Sequence, residues 1–125
     1  LKKRLATAHE PSLKERLVWS IETLGLPFEK NSLDDFCKIC ADLRNDISHF
    51  GGQRTFENYH DLLQALHDKT SALLYLYHAI ILREIGIDHE LLHGIFLDSR
   101  HSGKITREFS IAGLNFNSEQ NPGQI

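Results

Sequence analysis

The sequence predicts a single all-α domain. Apolar residues recur at three- and four-residue spacing in four successive stretches, and glycine, proline or a capping side chain stands at most of their borders. No convincing multi-strand region competes with this pattern. A chain of 125 residues, 41% of them hydrophobic, can bury one core and is too short for two domains of ordinary size.

The first helix opens on the capping-box pattern Ser12-Leu13-Lys14-Glu15 and carries Leu13, Leu17, Val18, Ile21 and Leu24 until Gly25 and Pro27 stop it. A second is expected to open at Ser32, with Asp34 and Asp35 in its first turn. Its apolar stripe is Leu33, Phe36, Cys40, Leu43 and Ile47, and Gly51-Gly52 ends it. The longest should start near Phe56 to Asn58 and run to about Glu84, with Tyr59, Leu62, Leu63, Leu66, Leu73, Leu74, Tyr77, Ile80 and Ile81 inward and Gly86 as its stop. Asp88 can cap a short fourth helix bearing Leu91, Leu92, Ile95 and Phe96. From Ser99 the composition turns to Ser, Gly, Asn and Gln, which predicts a mostly irregular tail. Within it, Ile105, Phe109, Ile111, Leu114 and Phe116 allow a short strand or an extended segment docked on the domain or on a partner subunit. The expected division is therefore a helical domain over residues 1–98 and an extended C-terminal tail over 99–125.

Composition excludes several classes. Nothing approaches the roughly 20 apolar residues of a membrane span, and Leu1 to Glu10 lacks the apolar run of a signal peptide, so a cytoplasmic protein without membrane contact is expected. Two cysteines are too few for a disulfide framework. A net charge of -3 gives no general attraction to nucleic acid, so any RNA contact is local. The chain begins at Leu1 and contains no Met, which points to a piece of a longer protein, with function divided between this chain and the rest.

The most informative segment is Arg44-Asn45-Asp46-Ile47-Ser48-His49. At 100° per residue, Asn45 and His49 share a side of the second helix roughly opposite its apolar stripe, with Arg44 and Ser48 on the flank between. Cleaving RNA without metal requires a base for the ribose 2′-OH, an acid for the departing 5′-oxygen and a cation for the charge developing on phosphorus. Histidine and arginine supply all three. Imidazole titrates near neutral pH, and guanidinium matches phosphate oxygens with a planar fork. Asn45 can orient the histidine or hold the phosphate. Spacing by itself is weak, because Arg4/His9, Arg54/His60 and Arg83/His89 show it too. Only Arg44 to His49 follows a strong amphipathic helix, precedes Gly-Gly and carries Asn directly after Arg.

Leu43 to Gly52 resembles the Arg-Asn-x-x-x-His motif of the HEPN superfamily, and within it the HEPN domain of ApeA-like anti-phage proteins. Leu74-Tyr75-Leu76-Tyr77-His78 and Leu82-Arg83-Glu84-Ile85-Gly86-Ile87-Asp88 are similar to the C-terminal part of that domain, and the likeness covers roughly residues 12–98. The resemblance implies an up-and-down helical bundle of about four main helices that dimerises, so that two motifs line one RNA-cleaving cleft. It makes His49 the acid/base residue, Arg44 the phosphate or transition-state cation and Asn45 the polar residue after the arginine. It also implies a 2′,3′-cyclic phosphate and a 5′-hydroxyl as products, with no metal or other cofactor. Gly51 stands where some HEPN toxins carry a tyrosine modified by a partner enzyme, which argues against that mode of regulation. The function expected is endoribonuclease, as the effector of an anti-phage or toxin-like defence protein. Ser48, Lys38, Arg54 and His60 are candidate RNA contacts, and His67 shares a face with His60.

Three alternatives stay open. Arg44 and His49 can simply solvate a helix end, and a HEPN domain can dimerise or bind RNA without cutting it. From another class, His89-Glu90-Leu91-Leu92-His93 matches the His-Glu-x-x-His pattern of zinc hydrolases, with His89 and His93 as ligands and Glu90 as base. Phe96 and Ser99 occupy the positions where the extended motif needs Gly and His, leaving His101, Glu108 or Glu119 to supply a third ligand. Cys37-Lys38-Ile39-Cys40 lies mid-helix with no further ligands and reads as packing.

Overall fold

The Ser12 hydroxyl accepts the Glu15 backbone N–H at 3.2 Å and starts α1, Leu13–Glu22. The computed structural model describes residues 10–48 and 59–117, and four more helices follow: α2 (Lys30–Ser48), α3 (Tyr59–Glu84), α4 (His89–Leu97) and α5 (Ser102–Ile111). Gly25 and Gly86, at φ of 73° and 103°, provide the left-handed turns after α1 and α3 that the sequence predicts. Asp88 caps α4 through its Oδ1, which accepts the Leu91 N–H at 2.8 Å. Each helix packs on the next, and α5 also returns onto α3. The fold is an all-α, up-and-down bundle. Among the described residues no helix is long and apolar enough to cross a membrane.

The sequence misjudges four places, one of them the inner face of α3: Leu63, Leu74, Tyr77 and Ile81, expected inward, are exposed. Ser32 does not open α2, which begins two residues earlier, at Lys30. The Ser32 hydroxyl lies 3.0 Å from the Glu29 carbonyl and accepts the Asn115 N–H at 3.0 Å, so it clasps the end of the chain to the start of α2. The region after Ser99 is not mostly irregular, because α5 forms there and buries Ile105 and Phe109. Among the described residues only Leu114 to Asn117 is extended and docked, with Phe116 bridging Phe28 and the Glu29 N–H donating to the Asn115 carbonyl at 2.8 Å. Finally, Ile47 is 52% exposed although it falls on the core stripe, while Asp46 beside it is buried.

The core centres on Phe109, which is fully buried. Its ring lies 5.5 Å from that of Phe28, 5.8 Å from Phe116 and 6.0 Å from both Tyr75 and Phe96. Residues from α3, α4, α5 and the α1–α2 turn thus meet at one side chain of the supposed tail.

Candidate functional site

At 1.5 Å per residue, the ten residues of α1 reach about half as far as the nineteen of α2. The last turns of α2 therefore run beyond α1 and meet α3 across a groove. Among the described residues, this leaves Ile47 exposed, because its stripe continues past the helix that covers it nearer the N-terminus. The groove has a volume of about 270 Å³. Its α2 wall is Cys40, Leu43, Arg44, Ile47 and Ser48, and its α3 wall is Leu66, Lys69, Thr70 and Leu73.

Arg44, Asn45 and Ser48 are all exposed, as a polar second face of α2 requires. Arg44 Nη1 donates to Asn45 Oδ1 at 3.3 Å, so the amide holds the guanidinium at the helix surface. Arg44 and Ser48 border the groove, whereas Asn45 and Lys38 do not. Lys38 is exposed further back on α2, and His60 and His67 are exposed on the first turns of α3, outside the groove. His49, Gly51, Gly52 and Arg54 lie outside the described residues, and so does Glu119.

Lys69 escapes the sequence reading. Its Nζ donates to the Ala112 carbonyl at the end of α5 and stands 5.5 Å from the centre of the Phe36 ring. Burial lowers its pKa from the usual lysine value, against smaller opposing effects of Cys40 and Asp68. A signal was present in the pattern: Leu62, Leu66, Lys69, Leu73 and Leu76 form one apolar series of α3, and a lysine interrupts it.

With this arrangement in hand, comparison with known families is informative. The Apea-like HEPN family matches residues 1–91, most of the chain. The chain belongs to that family. No curated protein and no solved structure matches it significantly. The matched part of this HEPN domain holds the Arg44 segment and both walls of the groove but ends within α4, so α5 and Phe109 lie beyond it.

The competing motifs of this HEPN domain have structural explanations. His89 is the first residue of α4, and its Nδ1 lies 3.2 Å from the Leu24 carbonyl, joining the α1–α2 turn to α4. Glu90 is exposed and His93 half-buried. Among the described residues no three His, Cys, Asp or Glu side chains gather as metal ligands, so neither His101 nor Glu108 completes a set with the pair. Cys37 and Cys40 are both buried and unbridged. Burial pushes their thiols up to about 12 and about 11, respectively, with Cys40 adding to the effect on Cys37. Thiols held neutral in this way pack and do not react.

Proposed function

We propose that this HEPN domain is a metal-independent endoribonuclease acting as a homodimer, the cytoplasmic effector of an anti-phage or toxin-like defence protein whose sensor is a further domain. The observation that carries the reading is the exposed Arg44, Asn45 and Ser48 on the last turns of α2, beside a groove with cationic walls and inside the segment the family matches. HEPN domains are commonly ribonucleases that dimerise and bind RNA.

In this mechanism His49 takes the proton of a ribose 2′-OH as that oxygen attacks the adjacent phosphorus. Arg44 stabilises the charge on the phosphorane, and the 5′-oxygen leaves with a proton. The phosphorus–5′-oxygen bond breaks as the 2′-oxygen–phosphorus bond forms, giving a 2′,3′-cyclic phosphate and a 5′-hydroxyl. A second subunit supplies the second histidine, so one copy acts as base and the other as acid. Asn45 steers the guanidinium, and Ser48, Lys38, Arg54 and His60 contact RNA outside the reacting centre.

The test is cleavage of single-stranded RNA by the purified chain with a chelator present. His49→Ala and Arg44→Ala should each lower the rate by about 10²–10⁴-fold with unchanged thermal melting. Undiminished cleavage by His49→Ala would overturn the mechanism. Loss of cleavage on chelation would favour His89 and His93 as metal ligands, and RNA binding without cleavage would favour a non-catalytic module.

A further inference from the structure

The groove between α2 and α3 adds to Arg44, which the proposed chemistry already employs, features that this chemistry leaves unused. It brings two cations, Arg44 and Lys69, to an apolar floor of Leu43, Leu66 and Leu73, and among the described residues no carboxylate lines it. Two further grooves among the described residues carry acids: one is lined by Lys14 with Glu15, Glu22 and Asp34, and another by Lys69 itself with Asp61 and Asp68. In a chain of net charge -3, this pairing of cations without acids marks the site electrostatically suited to an anion.

We propose that this groove is a nucleotide subsite for the RNA strand, in which Lys69 takes a phosphate neighbouring the one on which Arg44 acts while Ile47, Leu66 and Leu73 pack one base. The proposal rests on the ribonuclease reading and names how its substrate is held.

Lys69 is built for this. An ammonium has three donors. The side chain lines the groove, while one donor is held by the Ala112 carbonyl and the charge faces the Phe36 ring, both outside the groove's lining, which leaves two donors for a phosphate. Burial already penalises its charge, and an arriving phosphate would offset that penalty. Thr70 Oγ1 donates to the Leu66 carbonyl at 2.6 Å, so it keeps only accepting capacity and is no phosphate ligand. A volume of about 270 Å³ falls just below the usual span of ligand sites, roughly 300–1,000 Å³, and suits one nucleotide rather than a duplex.

The test titrates the isotope-labelled full chain with uridine 5′-monophosphate, uridine and inorganic phosphate, and follows the backbone amide signals. The monophosphate should shift Ile47, Leu66 and Leu73 and bind more tightly than either fragment. Lys69→Met should weaken it about tenfold while uridine binding is unchanged, and Lys69→Arg should restore most of the affinity. Leu66→Ala should weaken monophosphate and uridine but not phosphate. In RNA cleavage, Lys69→Met should raise KM about tenfold with kcat within about twofold. Shifts elsewhere on the surface, or a monophosphate that binds no better than phosphate, would overturn the subsite, and both readouts use the wild type if Lys69→Met fails to fold. Cleavage without groove shifts removes the subsite and leaves the ribonuclease, whereas groove binding without cleavage does the reverse.

Discussion

Among the described residues, the Asn45 amide oxygen holds Arg44, which otherwise stands exposed. A lysine there keeps the charge but loses the planar fork, so Arg44→Lys should recover little of the RNA cleavage lost in Arg44→Ala. Gel assays of both variants check this. The two thiols behave oppositely to a reactive pair. Native protein at pH 8 should resist iodoacetamide at Cys37 and Cys40, and mass spectrometry should find both labelled once urea unfolds it. Their pH dependence has a definite sign. Folding favours the neutral thiols, raising them from 9.0 to about 12 and about 11. That stabilisation is complete below pH 9 and is lost as pH climbs through the folded values. Urea titrations from pH 8 to 11 should show a steeper fall in stability for wild type than for a Cys37→Ala/Cys40→Ala variant.

The helices show how far periodicity reaches. The caps Ser12 and Asp88 and the stops Gly25 and Gly86 were legible because each acts on its own neighbours. Ser32 was misread because its side chain bonds to Asn115, a partner no local rule anticipates. Gly25 shows both kinds of constraint. Its φ of 73° suits glycine, and a Cβ there would lie 2.7 Å from His89 Nδ1, the ring that meets the Leu24 carbonyl. Gly25→Ala should therefore cost about 1–2 kcal/mol in urea unfolding. By contrast, Gly94 lies inside α4 with open space around its Cα, so Gly94→Ala should stabilise by about 0.5–1 kcal/mol. The last turns of α2 were legible as an amphipathic helix. Their groove was not, because it depends on how α2 and α3 lie against one another.

For the whole molecule, α5 changes which residues constitute the fold. The helix lies beyond the part matched by the HEPN family, yet Phe109 is the side chain on which four other aromatic rings converge. Phe109→Ala should cost about 3–5 kcal/mol in chemical denaturation, as large buried rings do. A chain ending at Asp98 should lose its cooperative thermal transition, because it lacks Ile105, Phe109, Ala112 and Leu114 and exposes the α3 and α4 surfaces they cover. The Ala112 carbonyl would also leave Lys69, so the groove and the end of the chain depend on one another.

The sequence by itself determined the all-α class, four of the helices, the caps Ser12 and Asp88 and the polar face bearing Arg44, Asn45 and Ser48. Those features depend on spacings of three or four residues along one chain, which a helix converts directly into shared faces. Only the tertiary structure decided that a segment rich in Ser, Gly and Asn is helical, since burial of Ile105 and Phe109 outweighs its weak local preference. It also decided that Ile47 is exposed and that Lys69 stands across from Arg44. Those outcomes depend on where one helix ends relative to another, a quantity no local pattern encodes.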